Sequence, residues 1–493
     1  MNVFMKKNCY IYMIVGVMGM FLSCSDLLDT YPKDKVSSET FWKSKNDVNL
    51  SLAGCYKHLK SSNYLSQLKP YLDGLTDNGY CWQTEHSSIS NIKIGILNPS
   101  TGGIVSNIYN GMYKGVTACY IFLDNFNQVK DELGYSEEEA NAVLAEAKFL
   151  KAYYLFELVQ RFGGVVIYDK VPTVADSKIQ QKTKEESLAY INADLDFAIE
   201  NLSDTPYLGH VVKNTARALK ARVALFEGKW DVVKQLTAEI IASEERGNVA
   251  FASSWDPIFI KRLGQNDCLE ILFAVEYQSP DAKQNYGIEI EGFYWSGLTP
   301  YESFILAHEA NDKRVESWYY KAKDGAYQRP TDNTWFTPTN TTQTGYGCVK
   351  FFDKTNPDKY TVNPYDLSTD DNVVLLRYTE VLLMYIEAMV EKGGGVTTDP
   401  LAITSFNRIR ERAGLTTIQG TLNRDQLRKE RRFELAFEGF RLFDLHRWHI
   451  AEEVMNGFQS IAGTCKFESH HYLWPFPQSE IDVNPQLVQN PGY

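Results

Sequence analysis

Residues 136–164 read SEEEANAVLAEAKFLKAYYLFELVQRFGG. Ser136 and Glu139 stand at N-cap and N3 spacing, which satisfies two end-of-helix N–H groups reciprocally. Phe149, Ala152, Tyr153 and Phe156 then follow the i, i+3, i+4, i+7 rule, so the spacing predicts one long helix stopped at Gly163-Gly164. Downstream, Thr183 and Glu186 form a second capping box ahead of Leu188, Ile191, Leu195 and Ile199. Asn214-Thr215 serves as a cap before Ala216, Leu219, Val223 and Phe226. Gly228 interrupts the pattern, and Trp230, Val233, Leu236 and Ile240 resume it after a short turn. A helix, a glycine turn and a second apolar-faced helix make an αα-hairpin. The arrangement recurs at Tyr378–Met389, Gly393–Gly395 and Ile403–Ile409.

Four such pairs are predicted, over 39–128, 137–202, 214–244 and 372–413. Small residues at the crossings (Ala147, Ala216, Ala221, Ala388) suit close packing of tetratricopeptide type. The repeats are not tandem and resemble one another only weakly. Residues 245–371 differ: they are rich in Gly, Pro, Asn, Thr, Tyr and Trp, with short apolar runs. The expected fold is mainly α, with four tetratricopeptide-like helix pairs forming an α/α superhelical scaffold and an irregular loop-rich insert or capping subdomain. The domain reading is a leader over 1–23, a helical region over 24–244, the insert over 245–371 and a C-terminal region over 372–493.

The leader itself has Lys6 and Lys7 ahead of an apolar stretch, Tyr10–Leu22, too short to span a bilayer. It ends Phe21-Leu22-Ser23-Cys24. This resembles a bacterial lipoprotein signal, with Cys24 acylated as the mature first residue and the chain anchored rather than spanning. Phe21 departs from the leucine usual there, and a plain secretory signal with an incidental cysteine is the other reading. Asp26 and Asp29 resemble the export tag of surface lipoproteins.

The 493 residues carry a formal charge of −12, and −14 once Lys6 and Lys7 are removed. An acidic chain without a Lys/Arg run excludes a nucleic-acid footprint. Apart from Cys9 and Cys24, six cysteines remain (Cys55, Cys81, Cys119, Cys268, Cys348, Cys465). None lies in a CxxC or Cys/His cluster, so neither a metal nor a redox pair is expected. No cofactor motif is present.

Five stretches resemble a known family. They are AEAKFLKAYYLFELVQRFGG from Ala145, RYTEVLLMYIEAMVEKGG from Arg377 and FNRIRERAGL from Phe406. LRKERRFELAFEGFRLFDLHRW from Leu427 and YLWPFPQSEIDVNPQLVQNPGY from Tyr472 complete the set. In order and over nearly the whole mature chain, they resemble the SusD/RagB family of outer-membrane nutrient-binding lipoproteins. The resemblance implies four tetratricopeptide-like pairs with an irregular cap. It implies an oligosaccharide ligand and a SusC-like TonB-dependent outer-membrane transporter over which the lipoprotein sits as a lid. The RagB branch takes peptides instead.

For chemistry, Glu434 and Glu438 share a helix face at i, i+4 and resemble a glycosidase pair in number only. Arg431, Arg441 and Arg447 crowd the same motif and favour ionised carboxylates, whereas a general acid needs a raised pKa. Architecture, not catalysis, is the expectation. His446 and His449 lack a third ligand at zinc-protease spacing, and His470-His471 lie in a loop-like stretch. No GxSxG and no Cys/His nucleophile pattern occurs. The reading is a non-enzyme.

Binding is better supported. Aromatic residues make up 13% of the chain, including 30 Tyr and 9 Trp. Sugars offer apolar C–H faces and many hydroxyls, so their sites want flat rings beside amides and carboxylates. Two loops fit: Asp73, Asp77, Asn78, Tyr80 and Trp82 in 73–83, and Tyr294 and Trp295 in 291–297. Trp335 and Tyr346 form a third candidate. Each Trp could instead plug the core. A tetratricopeptide scaffold binding only protein partners is the reading from a different class.

Overall fold

The computed structural model describes residues 41–61, 69–81, 87–168, 170–172, 178–280, 283–285, 296–323, 326–328, 335–336, 342–355 and 368–493. Two units divide the chain, residues 1–49 and 50–493. In the described part of the first, Ser44 Oγ accepts from Asp47 N–H at 3.2 Å and opens helix α1, Lys45–Ser61. Phe41 and Trp42 meet edge-to-face at 5.6 Å. All later elements belong to the second unit.

The scaffold of that unit is a succession of helices. After Ser87–Lys93 (α2) come Ile104–Val129 (α3), Glu137–Phe162 (α4), Lys184–Asn201 (α5), Lys213–Glu227 (α6) and Trp230–Ala242 (α7). Tyr378–Lys392 (α8), Pro400–Arg412 (α9), Arg424–Glu434 (α10) and Arg441–Arg447 (α11) follow the insert. Neighbours α3/α4, α4/α5, α5/α6, α6/α7, α7/α8 and α8/α9 all pack together. Both capping boxes form as the sequence predicts, at Ser136/Glu139 and Thr183/Glu186. One boundary moves: α6 begins at Lys213 with Val212 at its N-cap. Thr215 lies inside the first turn, its Oγ1 accepting from Val212 N–H at 3.3 Å and donating to Leu272 O at 2.7 Å. A strand carbonyl, invisible in the local sequence, claims the hydroxyl.

The crossing alanines Ala147, Ala216, Ala221 and Ala388 are all fully buried. The apolar face of α4 supplies Phe149, Tyr153 and Phe156, with Phe149 and Tyr153 edge-on to Phe273 at 5.2 and 5.5 Å. Phe273 belongs to β2 (Ile271–Val275), a fully buried strand paired antiparallel with β8 (Val373–Arg377) across a bulge. The closing segment docks where α4 ends. Trp474 N–H donates to Arg161 O at 2.6 Å, Asn490 Nδ2 donates to Phe162 O at 3.0 Å, and Phe476 stacks on Phe162 at 5.6 Å. The first and last family-like motifs are therefore two sides of one contact.

Between α7 and α8 the described chain forms short helices and short strands. β1 (Gly79–Cys81) pairs antiparallel with β3 (Leu298–Pro300). β4 (Tyr319–Lys323), β5 (Ala326–Gln328), β6 (Trp335–Phe336) and β7 (Tyr346–Cys348) make a four-stranded sheet in the order β6-β5-β4-β7. Among the described residues Cys55, Cys81, Cys119, Cys348 and Cys465 are buried and Cys268 is half-buried. No described helix is long and apolar enough to cross a membrane.

Candidate functional site

The turn Pro70–Leu75 opens with Pro at its first position, which presets φ, and leads through Thr76–Asn78 into β1. Every residue from 69 to 79 is buried. Gly79 permits this, because a Cβ there would meet Thr299 O at 2.9 Å and the Phe437 ring at 3.0 Å. Tyr301 N–H donates to Asn78 O at 3.0 Å and fastens the β3 end to the same turn.

Lys93, on α2, holds this turn from below. Its Nζ donates to Thr76 O at 2.6 Å, Gly79 O at 2.8 Å and Tyr301 Oη at 3.1 Å. Burial pushes its pKa down to about 7. The sequence reading missed Lys93, although a lone lysine inside SISNIKIGIL was a visible signal.

Three of the predicted ligand residues are committed inward. Asp73 is fully buried: Oδ1 accepts from Asn78 Nδ2 at 2.7 Å and Oδ2 from Gly439 N–H at 3.1 Å. Burial outweighs these bonds and lifts its pKa to about 6. Asp77 accepts a two-pronged Arg441 at 2.9 and 3.0 Å and Arg432 at 2.8 Å. Burial pushes the Asp77 carboxyl up, but the two guanidinium groups prevail and hold it below the usual range. Asn78 Oδ1 accepts from Arg432 Nε at 2.8 Å. These buried side chains knit the turn to the 427–448 motif. An aromatic-and-polar loop reads alike whether its polar groups face solvent or an arginine more than 350 residues away.

The remaining positions divide. Tyr80 is half-buried on β1, opposite Thr299. Tyr346 is half-buried on β7, opposite Lys321; its Oη donates to Glu302 at 3.4 Å, and Lys321 Nζ lies 5.7 Å from its ring. Trp335 belongs to β6, but its side chain, like Trp82, Tyr294 and Trp295, lies outside the described residues. The stems of the three candidate loops converge nonetheless. Cys81, just before Trp82, is the register partner of Leu298, three residues past Trp295, and β3 packs against β7. Segments more than 200 residues apart thus meet in one small patch.

Beneath it lies a buried ionic hub. Glu434 accepts from Arg412 at 2.8 Å, Arg377 at 3.0 Å and Arg314 at 3.4 Å. Glu438 accepts from Lys350 at 2.6 Å and Arg377 at 2.8 Å. Burial raises both carboxyls, but the cations dominate, holding Glu434 at about 2 and Glu438 below its ordinary value. Neither has a proton to give near neutrality, so neither is a general acid. His446 is buried, and burial drives its pKa down to about 3. Among the described residues no three His, Cys, Asp or Glu form a metal-binding group.

A separate concavity of about 490 Å³ opens between the 207–209 loop, β2 and the 261–268 turns. Tyr207 Oη bonds Glu276 at 3.0 Å, and Lys60 Nζ lies 4.6 Å from the Tyr277 ring. Nothing in the sequence reading anticipated it, since its walls come from distant segments.

Known proteins share both the sequence and this architecture. A sequence model described as the SusD family matches residues 279–493, and one described as "Starch-binding associating with outer membrane" matches 26–225. The chain belongs to the SusD/RagB family. It is 25% identical to SusD-like protein P38 of Formosa agariphila over 550 aligned positions, covering 99% of each chain. Over 134 positions it is 31% identical to starch-binding protein SusD of Bacteroides thetaiotaomicron, covering 25% of this chain and 22% of that protein. In three dimensions it matches a SusD-like carbohydrate-binding protein of Bacteroides fragilis at TM-score 0.77. That match has 21% identity and covers 91% of this chain and 100% of the other. The likeness establishes the SusD-like fold, with its helix pairs and irregular cap.

Proposed function

We propose that this SusD-like chain is a carbohydrate-binding lipoprotein of the outer membrane. It captures oligosaccharides at the cell exterior and passes them to a SusC-like TonB-dependent transporter. Residues 1–23 are its signal peptide and Cys24 its lipid anchor. The observation that carries the reading is the convergence of the three loop stems at β1, β3 and β7. It gathers the chain positions leading to Trp82 and Trp295, together with Tyr80 and Tyr346, onto one patch. Paired rings beside hydrogen-bonding groups are what a sugar's C–H faces and hydroxyls require. The names of the relatives, starch-binding and carbohydrate-binding, support the ligand class. The ionised, arginine-locked state of Glu434 and Glu438 supports a role in binding rather than hydrolysis.

The test is calorimetry of the lipid-free mature chain against a glycan panel, repeated with Trp82→Ala and Trp295→Ala. Loss of one stacking platform should weaken the complex about tenfold, on the order of 1–2 kcal/mol. Affinity unchanged by both substitutions moves the site, with the 490 Å³ concavity next in line through Tyr277→Ala. No glycan binding, with binding to a peptide library, replaces the carbohydrate ligand by the RagB-like one.

A further inference from the structure

Lys69, immediately before the Pro70–Leu75 turn, is 4% exposed, and its Nζ has no hydrogen-bond partner among the described residues. Arg431, 2% exposed, spends Nε on both oxygens of Asp444 at 2.8 and 3.1 Å. Its Nη1 likewise has no partner among the described residues. Both side chains line one cavity of about 30 Å³, roughly twice what a single water needs. Both also lie over the ring of Phe440, Lys69 Nζ at 4.9 Å and Arg431 Cζ at 5.7 Å.

The surrounding charges are already paired. Arg222 salt-bridges Glu380 at 2.5 Å, Arg161 salt-bridges Glu157 at 3.0 Å, and Arg447 takes Glu387 and shares Asp444 with Arg431. Lys69 alone in this group has no carboxylate within salt-bridge reach among the described residues. An unpaired buried charge is among the most costly features a fold can carry. Burial, with Arg222 nearby, pushes the Lys69 pKa down to about 8 against the pull of Glu157, Glu380 and Glu438. Near neutrality the ammonium therefore persists with no acceptor at hydrogen-bond distance among the described residues, although Glu157 and Asp444 also line the cavity.

We infer that this cavity is a binding site for a small monovalent anion of chloride size, bridging Lys69 Nζ and Arg431 Nη1. The volume excludes a sugar or a carboxylate-bearing metabolite and admits a halide. The anion accepts from both unpartnered donors at once. It also couples two elements of the candidate site. Lys69 O lies 2.5 Å from where a Cβ on Gly439 would fall, so the turn bearing Asp73 and the chain after Glu438 are pressed together at this spot.

The experiment compares the mature chain in sodium chloride, sodium bromide and sodium gluconate at constant ionic strength. The unfolding temperature should rise saturably with either halide and stay flat in gluconate. At tenfold excess over Kd, the folded-to-unfolded ratio should increase about elevenfold. Crystals soaked in bromide should give an anomalous peak between Lys69 Nζ and Arg431 Nη1. Lys69→Met should abolish the halide dependence and equal or exceed the parent's stability in gluconate. Identical melting in all three salts, or a bromide-soaked crystal without that peak, overturns the inference. The crystal arm uses the parent chain and decides the matter even if Lys69→Met does not fold.

Discussion

Substituting Glu434→Gln probes the ionic hub at its centre. The side chain is fully buried, keeps its shape in the variant and loses one negative charge. Arg412, Arg377 and Arg314 would then share fewer carboxylates, with their guanidinium groups still buried. Breaking a buried pair by removing one partner costs about 3–5 kcal/mol. The titration gives a second, independent figure. The folded pKa of Glu434 is about 2 against an ordinary 4.5, a difference equivalent to about 3 kcal/mol. Because the folded value is depressed, that contribution is complete above pH 4.5 and is lost as pH falls towards 2. Urea unfolding at pH 7 should therefore place the variant about 3 kcal/mol or more below the parent, and the gap should narrow between pH 4.5 and 2. Glu239→Gln is the control, since its carboxylate is 38% exposed in its pair with Arg217 and the pair is worth under about 1 kcal/mol. A Glu434→Gln loss below about 1 kcal/mol, or a gap constant with pH, would refute the hub as described.

Three further outcomes rest on particular contacts. Gly115→Ala on α3 drives a Cβ to 2.7 Å from the Tyr154 ring, which is pinned by its 2.8 Å bond to Cys55 O; overpacking should cost about 1–3 kcal/mol in thermal melts. Gly54→Ala, with nothing within 4 Å, should cost nothing. The Lys93 pKa of about 7 lies below its ordinary 10.5, so the cost of burying the charge fades as pH rises from 7 to 10.5. The parent should accordingly gain up to about 1.4 kcal/mol per pH unit over that range relative to Lys93→Met, read by urea unfolding. Cys24→Ser should release the chain from the outer-membrane fraction and abolish incorporation of radiolabelled palmitate; a variant that still labels removes the anchor from the proposal.

Local sequence determines short-range periodicity and end chemistry. Ser136 with Glu139, Thr183 with Glu186, Gly228 in the left-handed conformation after α6, and the crossing alanines act within a turn or across one helix face. That was enough to read the helix pairs from the chain alone. The ionised state of Glu434 and Glu438 was legible but its cause was not: Arg431, Arg441 and Arg447 pair with Asp444, Asp77 and Glu387, while the cations on the two glutamates are Arg314, Lys350, Arg377 and Arg412. The destination of Asp73, Asp77 and Asn78 was not legible. Their bonds to Gly439, Arg441 and Arg432 span more than 350 residues, and the polar residues of an exposed loop and of a buried turn are the same residues. The same holds for Lys93, whose acceptors include two backbone carbonyls, and for the Lys69–Arg431 cavity, whose walls no local pattern announces. Tertiary structure alone brought β1, β3 and β7 together, because a long-range contact depends on which buried surfaces remain complementary once every helix has found its neighbour.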